Sequence, residues 1–384
     1  MCKTAGLLWL ILPSGQRYVP IVWKNNTLSA TFFYLIIQIK SIIKKTALQI
    51  QLLSKNDMNI FLHRTALVCL AVVSFLFFGV GPVQAVRIVC INSNAMEVLR
   101  VLNATDQVVG VHNFILKERG FWAELAGRPN VGDWREPDYE AILALKPDVV
   151  LCYKSSPGPE IERLLEPAGT KILRLDFHKL PFFHAEVREL AHLVGREAEA
   201  EIFLTWFDGY LGKIRKAVAA SPRRPVVYLE GYTDYRAAGP GSGFDMFCQE
   251  AGLVNIGQEL GQESAQVATE WILSRQPEAI IKSVPRTGDY DWPDASPLLK
   301  LKQSMLSRPG WGLLEAAKND RFFLITSSIT AGPPAVVGLA HMVRIFHPEQ
   351  AGDLDPRAMH AEYLARFHHL PLRGVYTLLP ETKP

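Results

Sequence analysis

Cysteine is scarce in this chain, and the motifs that would assign an enzyme or a polyanion-binding protein are missing. Five of the 384 residues are cysteines, and no two have the CxxC spacing of a zinc site or redox centre. The formal net charge is +3 without a run of Lys and Arg, so nothing indicates nucleic acid as a partner. HExxH, nucleophile-elbow and P-loop motifs are all lacking. The composition, 48% hydrophobic and 21% charged, is typical of a globular protein of about two domains.

The first 85 residues lack a globular pattern. Residues 58–85 contain a short basic region, an apolar core and the small-residue ending 83–85, which predicts a signal peptide cleaved after Ala85. An uncleaved membrane anchor is the alternative, although the apolar run is short for a span of about 20 residues. Residues 1–57 are interpreted as an upstream extension from a start codon assigned too early, with translation beginning at Met58. The alternative is an additional membrane-associated segment.

Two segments of the remaining chain share one pattern. Residues 140–150 and 270–280 each begin with Glu, continue with two apolar residues and a small residue, and contain Pro just before an apolar run. Each pattern predicts a short helix that ends at Pro and is followed by a buried strand. Such a repeat in an otherwise non-repetitive chain indicates two similar α/β lobes, and a cleft between lobes is where ligands bind.

Apolar strand patterns alternate with helical patterns from residue 86 onward, which predicts parallel sheets with right-handed crossovers. Residues 196–219 read as one long helix without Pro, about 35 Å in length. We therefore predict an α/β fold of two Rossmann-like lobes with parallel sheets, joined by one rigid helix, with the ligand cleft between them. The predicted boundaries are 86–194 for the N-terminal lobe, 195–220 for the linker helix and 221–384 for the C-terminal lobe. A rigid connecting helix predicts little lobe movement on ligand binding.

Several short motifs, taken in order, resemble one known family. They include Gly132-Asp-Trp134, residues 137–151, Gly239-Pro-Gly-Ser-Gly243 and Pro309-Gly-Trp311. This pattern resembles the class III periplasmic substrate-binding proteins of ABC importers, which carry iron–siderophores, vitamin B12 and haem, and the likeness covers nearly all of residues 86–350. The resemblance implies an exported, non-enzymatic receptor in the periplasm. It would capture a chelated metal, without a cofactor of its own, and deliver it to an ABC importer.

Members of that family dock on the permease dimer through one surface Glu on each lobe. The motif match implies that Glu140 and Glu270 have this role. Carboxylates on both lobes would fix the orientation of docking while adding little raw affinity. The alternative is that a Glu in the first turn of a helix only interacts favourably with the helix dipole.

Ligands of α/β lobes bind outside the carboxyl ends of the parallel strands, so residues that follow predicted strands are candidates. The predicted ligand-binding residues are Ser93, Trp134, Tyr153 and Lys154 in the first lobe, and Tyr232, Tyr235, Arg236 and Arg286 in the second. Aromatic faces suit a large flat ligand, and Arg and Lys suit its anionic groups. The resemblance to B12-binding relatives implies that Trp134 and Tyr153 line the cleft. Tyr and Trp are equally common as half-buried core residues.

Other interpretations stay open. Residues 327–332 lack the aromatic residue and the Arg that B12 binders carry there, so an iron chelate or a molybdate- or tungstate-type oxyanion competes with cobalamin. A bare metal ion is disfavoured and no metal site is predicted, because the histidines at strand ends, His112 and His178, both belong to the first lobe. A chelatase-like enzyme and a membrane-tethered signalling or adhesion ectodomain are the remaining alternatives. Haem ligation is a further variant, with the candidate ligands Tyr153, Tyr232, Tyr235 and His112.

Overall fold

The computed structural model describes residues 85–379, together with two short strands, Leu7–Trp9 and Pro20–Val22, which pair antiparallel. The predicted signal peptide and upstream extension otherwise lie outside the described residues. Residues from Ala85 onward form one compact unit, which contains two lobes. No helix in the described part of the chain is both long and apolar enough to cross a membrane.

The first lobe is built on a four-stranded parallel sheet with the strand order β2-β1-β3-β4. Its strands are β1 Ile88–Cys90, β2 Val108–Val111, β3 Val149–Cys152 and β4 Lys171–Arg174. Its helices are α1 Ser93–Val101, α2 Asn113–Lys117, α3 Tyr139–Ala144, α4 Glu160–Leu165 and α5 Leu180–Val194. Every residue of β1 and β3 is buried, as expected for central strands that are covered on both faces.

The second lobe contains a seven-stranded mixed sheet. Its strands are β5 Val226–Glu230, β6 Arg236–Ala238, β7 Val254–Asn255, β8 Ser264–Gln266, β9 Ala279–Val284, β10 Phe322–Thr326 and β11 Thr377–Leu378. The order is β8-β6-β5-β9-β10-β11, and β7 also pairs with β5. The central strands β5, β9 and β10 are parallel, as predicted. Strands β6, β8 and β11 pair antiparallel with their neighbours. For β6 the reason is that its connection to β5 is too short for a crossover.

The helix predicted over residues 196–219 is confirmed as α6, Glu197–Ala220. It ends just before Pro222, since Pro disfavours helical backbone in the residue that precedes it. Its buried face, which includes Phe203, packs on α5. The helices of the second lobe are α7 Gly243–Glu250, α8 Thr269–Arg275, α9 Ser296–Leu306, α10 Glu315–Lys318, α11 Ala335–Phe346 and α12 Pro356–Tyr363.

The sequence repeat is also a structural repeat. Helices α3 and α8 are each followed by a residue with left-handed backbone directly before Pro, namely Lys146 with φ 47° and Gln276 with φ 37°. This conformation, together with the following Pro, ends the two helices within one residue of the same position of the repeat. Ile142 and Ile272 occupy matching positions, and both are fully buried. Each lobe therefore holds its short helix against the sheet through the same apolar contact.

A second pair of contacts repeats between the lobes. The carboxylate of Asp148 accepts a hydrogen bond from the backbone N–H of Arg87 at 2.7 Å, and that of Glu278 accepts one from Val226 at 3.1 Å. In return, the backbone N–H groups of Asp148 and Glu278 donate to the carbonyl oxygens of Arg87 and Val226 at 2.9 and 2.8 Å. These paired bonds fix the end of each repeat to the start of the neighbouring strand.

Replacing either repeated isoleucine should destabilise the protein strongly. We expect Ile142→Ala and Ile272→Ala each to lower the free energy of unfolding by about 2–5 kcal/mol, because each leaves a cavity in a packed core. Ile202→Ala is the matched control. Ile202 is 52% exposed on α6, and its replacement should change stability by no more than about 0.5 kcal/mol. Urea unfolding followed by circular dichroism measures all three, and equal losses would contradict the core assignment.

Candidate functional site

Three predicted residues meet at the carboxyl edge of the first sheet. Tyr153 follows β3, and its ring lies 5.4 Å from that of Trp134 in an edge-to-face arrangement. The phenol oxygen of Tyr153 accepts a hydrogen bond of 3.1 Å from the backbone N–H of Ser93, at the start of α1. Burial raises the pKa of Tyr153 to about 12, so the phenol keeps its proton at neutral pH. Tyr153 is therefore a neutral hydrogen-bonding group at this edge of the sheet.

His112, which follows β2, supports this group. Its Nε2 lies 2.9 Å from the Oγ of Ser93. The imidazole is buried, and burial lowers the pKa of His112 to about 4, so it is neutral at physiological pH. Among the described residues, its Nδ1 has no hydrogen-bond partner. From the sequence, His112 was considered as a haem ligand, and its contact with Ser93 was missed. The sequence signal for that contact is that His112 and Ser93 both follow strands of the same sheet.

Lys154 turns back toward its own lobe. Its Nζ lies 2.5 Å from Oε1 of Glu186, a buried residue of α5. The hydrogen bond to Glu186 raises the pKa of Lys154. The other carboxylate oxygen of Glu186 accepts the backbone N–H of Phe177 at 2.6 Å. Glu186 was missed by sequence reasoning, although an acidic residue on the apolar side of an amphipathic helix is a recognisable signal.

On the second lobe, Tyr232 is the most accessible of the predicted aromatic residues, with 57% of its surface exposed. It follows β5, and its hydroxyl lies beside the side chains of Ser283 and Ser327. Its phenol is also close enough to Tyr153 to influence the ionisation of that residue.

A buried ion cluster holds the loop that carries Tyr232. Glu230, at the end of β5, is fully buried and accepts hydrogen bonds from Lys282 at 2.9 Å and Arg308 at 2.9 Å. Lys282 also donates to the backbone oxygen of Tyr232 at 3.2 Å. A buried carboxylate needs such partners because it has lost its hydration. Sequence reasoning missed these three residues, since they lie in or beside apolar segments that predict only core packing.

Tyr235 and Arg236 make their contacts within the second lobe. The ring of Tyr235 packs edge-on against Trp311 at 5.8 Å, and the guanidinium of Arg308 lies 4.6 Å from its centroid. Arg236 is exposed at the start of β6 and donates to the Oγ of Ser264 at 2.9 Å. These contacts support the β6–β8 edge of the sheet. The ligand-binding roles predicted for both residues stay predictions.

Arg286 reaches from the second lobe into the first. Its guanidinium lies 2.7 Å from a carboxylate oxygen of Glu97 on α1 and 2.7 Å from one of Glu118, which follows α2. The same guanidinium covers the ring of Phe121 at 4.3 Å. Its Nε and Nη1 are engaged by protein carboxylates, so Arg286 forms a contact between the lobes, and its predicted ligand-binding role stays a prediction.

Glu140 and Glu270 are exposed, and each is the second residue of its helix, α3 or α8. Within residues 85–379, neither carboxylate has an ion-pair or hydrogen-bond partner from another side chain. Both are thus accessible to cations of another molecule. Their place in the first helical turn also fits the helix-dipole interpretation.

Residues that would hold a bare metal ion do not cluster in the described part of the chain, where no group of three or more His, Cys, Asp or Glu side chains has suitable geometry. Cys90, Cys152 and Cys248 are buried and unpaired. Burial raises the pKa of the Cys90 and Cys152 thiols to about 12 and about 11, so neither is a thiolate at neutral pH.

Comparison with known proteins shows the class of this fold. Residues 88–329 match the model of the family described as Periplasmic binding protein, and the chain belongs to that family. It is similar to a vitamin B12-binding protein of Pectobacterium atrosepticum, with 25% identity over 245 residues that cover 60% of this chain and 86% of the relative. It is also similar to the molybdate-binding protein MolA of Haemophilus influenzae, with 24% identity over 319 residues that cover 73% and 86%.

Solved structures agree on the fold. The TroA-like periplasmic binding protein FepB from Veillonella parvula superposes with a TM-score of 0.65 at 18% identity, covering 78% of this chain and 96% of that one. A periplasmic heme-binding protein from Pseudomonas aeruginosa gives 0.58 at 23% identity, covering 69% and 94%. The fold class and the family resemblance predicted from the sequence are therefore confirmed.

The stability of the protein should depend on the protonation of His112. Below about pH 6.5 the unfolded chain binds a proton at this residue, whereas the folded chain does so only near pH 4, so stability falls as the pH is lowered through this window. Between pH 7 and 4.5 we expect wild type to lose about 2 kcal/mol more than His112→Gln. Urea unfolding at both pH values measures the difference. An identical pH dependence in the two proteins would contradict a buried neutral His112.

Proposed function

We propose that this chain is an exported solute-binding protein that binds a metal chelate between its lobes and delivers it to an ABC importer in the inner membrane. The observation that carries the proposal is the repeat, which presents an exposed carboxylate at the same position of each lobe, Glu140 and Glu270. A pair of related sites on two similar lobes suits a partner with two related subunits, such as a permease dimer. The periplasm is the compartment in which such a receptor acts.

The aromatic lining of the cleft favours a chelate over a small oxyanion. Trp134, Tyr153 and Tyr232 offer ring faces and phenol hydroxyls, which suit a flat, partly apolar ligand such as an iron–siderophore, a corrinoid or haem. An oxyanion such as molybdate requires cations or converging N–H donors. Lys154 and Arg286, the two predicted cations closest to buried carboxylates, are already neutralised by protein partners. The relatives include binders of both ligand types and do not separate the two. The choice of a chelate therefore rests on the chemistry of the lining residues.

An enzymatic role is less well supported than a receptor role. The distance between Ser93 and His112 resembles that of a nucleophile and its base. However, a histidine with a pKa of about 4 is a weak base, and no described carboxylate is hydrogen-bonded to its Nδ1 to orient it. The pair instead positions Ser93 and, through it, Tyr153. In the proposed function, the protein therefore binds its ligand and catalyses no reaction on it.

Reversing both exposed glutamates should stop transport without weakening ligand binding. We expect Glu140→Arg with Glu270→Arg to abolish uptake in cells that carry the cognate importer. The resemblance implies that these glutamates pair with arginines of the permease, and the substituted arginines would repel them. Ligand affinity, measured by calorimetry on the purified protein, should stay within twofold of wild type.

The matched control for that variant is Glu189→Arg with Glu349→Arg. It makes the same change in net charge at one exposed glutamate in each lobe, outside helices α3 and α8. Uptake should persist in this control. Normal uptake in the Glu140/Glu270 variant would refute the docking role, whereas loss of uptake in both variants would point to a general charge effect.

Removing the aromatic faces of the cleft should weaken ligand binding. Trp134→Ala and Tyr232→Ala are each expected to reduce affinity more than tenfold, about 1.4 kcal/mol, because each deletes a stacking surface. Cobalamin, haemin and a ferric catecholate are the titrants, guided by mass spectrometry of the protein isolated from its native periplasm. Trp292→Ala is the control, since Trp292 packs in a separate cluster of the second lobe. Equal affinities for all variants would place the ligand elsewhere.

A further inference from the structure

The C-terminal segment crosses between the two lobes, and it lies beyond residue 329, where the family match ends. After α11, the chain forms α12 and a π-helical turn, Leu364–His368, that packs against α1 of the first lobe. It then returns to the second lobe as β11, which pairs with β10. The lobes are thus connected by a second crossing of the chain in addition to α6.

Four buried or nearly buried side chains meet where this segment passes between the lobes, and we call them the interlobe latch: Glu97, Glu118, Arg286 and Tyr363. Arg286 belongs to the second lobe and contacts both glutamates of the first lobe at 2.7 Å. The hydroxyl of Tyr363, at the end of α12, donates to the other oxygen of Glu97 at 2.8 Å. Both oxygens of Glu97 are therefore bound by residues from outside its lobe.

The tail that follows α12 fastens the loop next to Arg286. The backbone N–H of Val375 donates to the carbonyl oxygen of Asp289 at 3.0 Å. Arg373 pairs with Asp291 at 2.7 Å, and the second carboxylate oxygen of Asp291 accepts the backbone N–H of Gly120 from the first lobe at 3.1 Å. The tail and the loop after β9 hence form one unit that contacts the first lobe at two points.

We propose that the interlobe latch, assembled by the C-terminal segment, holds the two lobes at a fixed separation. A charge-assisted contact between Arg286 and two carboxylates is strong when it is shielded from water, and removing one partner leaves the others buried without compensation. The apolar part of the contact, where Arg286 lies over Phe121, excludes water from it. This inference concerns the free protein and does not depend on the ligand or the importer.

The separation of the lobes can be measured with paired spin labels. Ser155 and Thr233 are exposed and lie on loops of opposite lobes that follow β3 and β5. Labels at Ser155→Cys and Thr233→Cys, in a full chain with Cys2 and Cys69 replaced by Ser, would report one narrow distance distribution by pulsed electron paramagnetic resonance. The remaining cysteines are buried. Labelling the protein that has the Ser replacements at Cys2 and Cys69, but neither new cysteine, measures the background.

We expect Arg286→Gln to at least double the width of that distribution and to extend it to longer distances. Tyr363→Phe, which removes one hydroxyl, should broaden it less. Arg188→Gln is the matched control, because Arg188 forms an exposed ion pair with Glu201 and should leave the width unchanged. If Arg286→Gln does not fold, Arg286→Lys and Tyr363→Phe carry the test. An unchanged width in every folded latch variant would overturn the proposal.

Discussion

Charges buried at the facing edges of the two sheets must be paired, and this requirement determines which groups are left for a ligand. Glu186, Glu230 and Glu97 are all buried, and each has at least one cationic partner. The cost of an unpaired buried carboxylate is far larger than that of leaving a surface cation unpaired. Lys154, Lys282 and Arg286 are consequently bound to protein carboxylates. Aromatic rings and hydroxyl groups, among them Trp134, Tyr153 and Tyr232, are the predicted site residues that are left without a charged partner of this kind.

The fold could be predicted from the sequence because its main signals are local. Apolar runs mark the central strands, the Pro-ended repeat marks α3 and α8, and a helix of 24 residues is evident from its length and lack of Pro. The antiparallel edges of the second sheet were not predicted. Strand β11 has two residues and no alternating pattern, so only its pairing with β10 identifies it as a strand.

The candidate site could be predicted only in part, because burial and pairing depend on residues far apart in the chain. Ser93 and Tyr153 were identified from their places after strands and Trp134 from the family resemblance, and the structure brings the three together. Lys154 was predicted by the same reasoning, but its partner Glu186 lies 32 residues away. For Arg286 the partner Glu118 is 168 residues away, so no local pattern reveals that its charge is already neutralised.

The paired hydrogen bonds that fix each repeat to its sheet make α3 and α8 rigid parts of their lobes. The span between Glu140 and Glu270 is then determined by the angle and distance between the lobes. If that span is constant, a membrane partner meets the same pair of carboxylates whether the cleft is empty or filled. Discrimination between the loaded and the empty receptor would then have to come from the ligand itself or from loops at the cleft, and not from a change in the docking face.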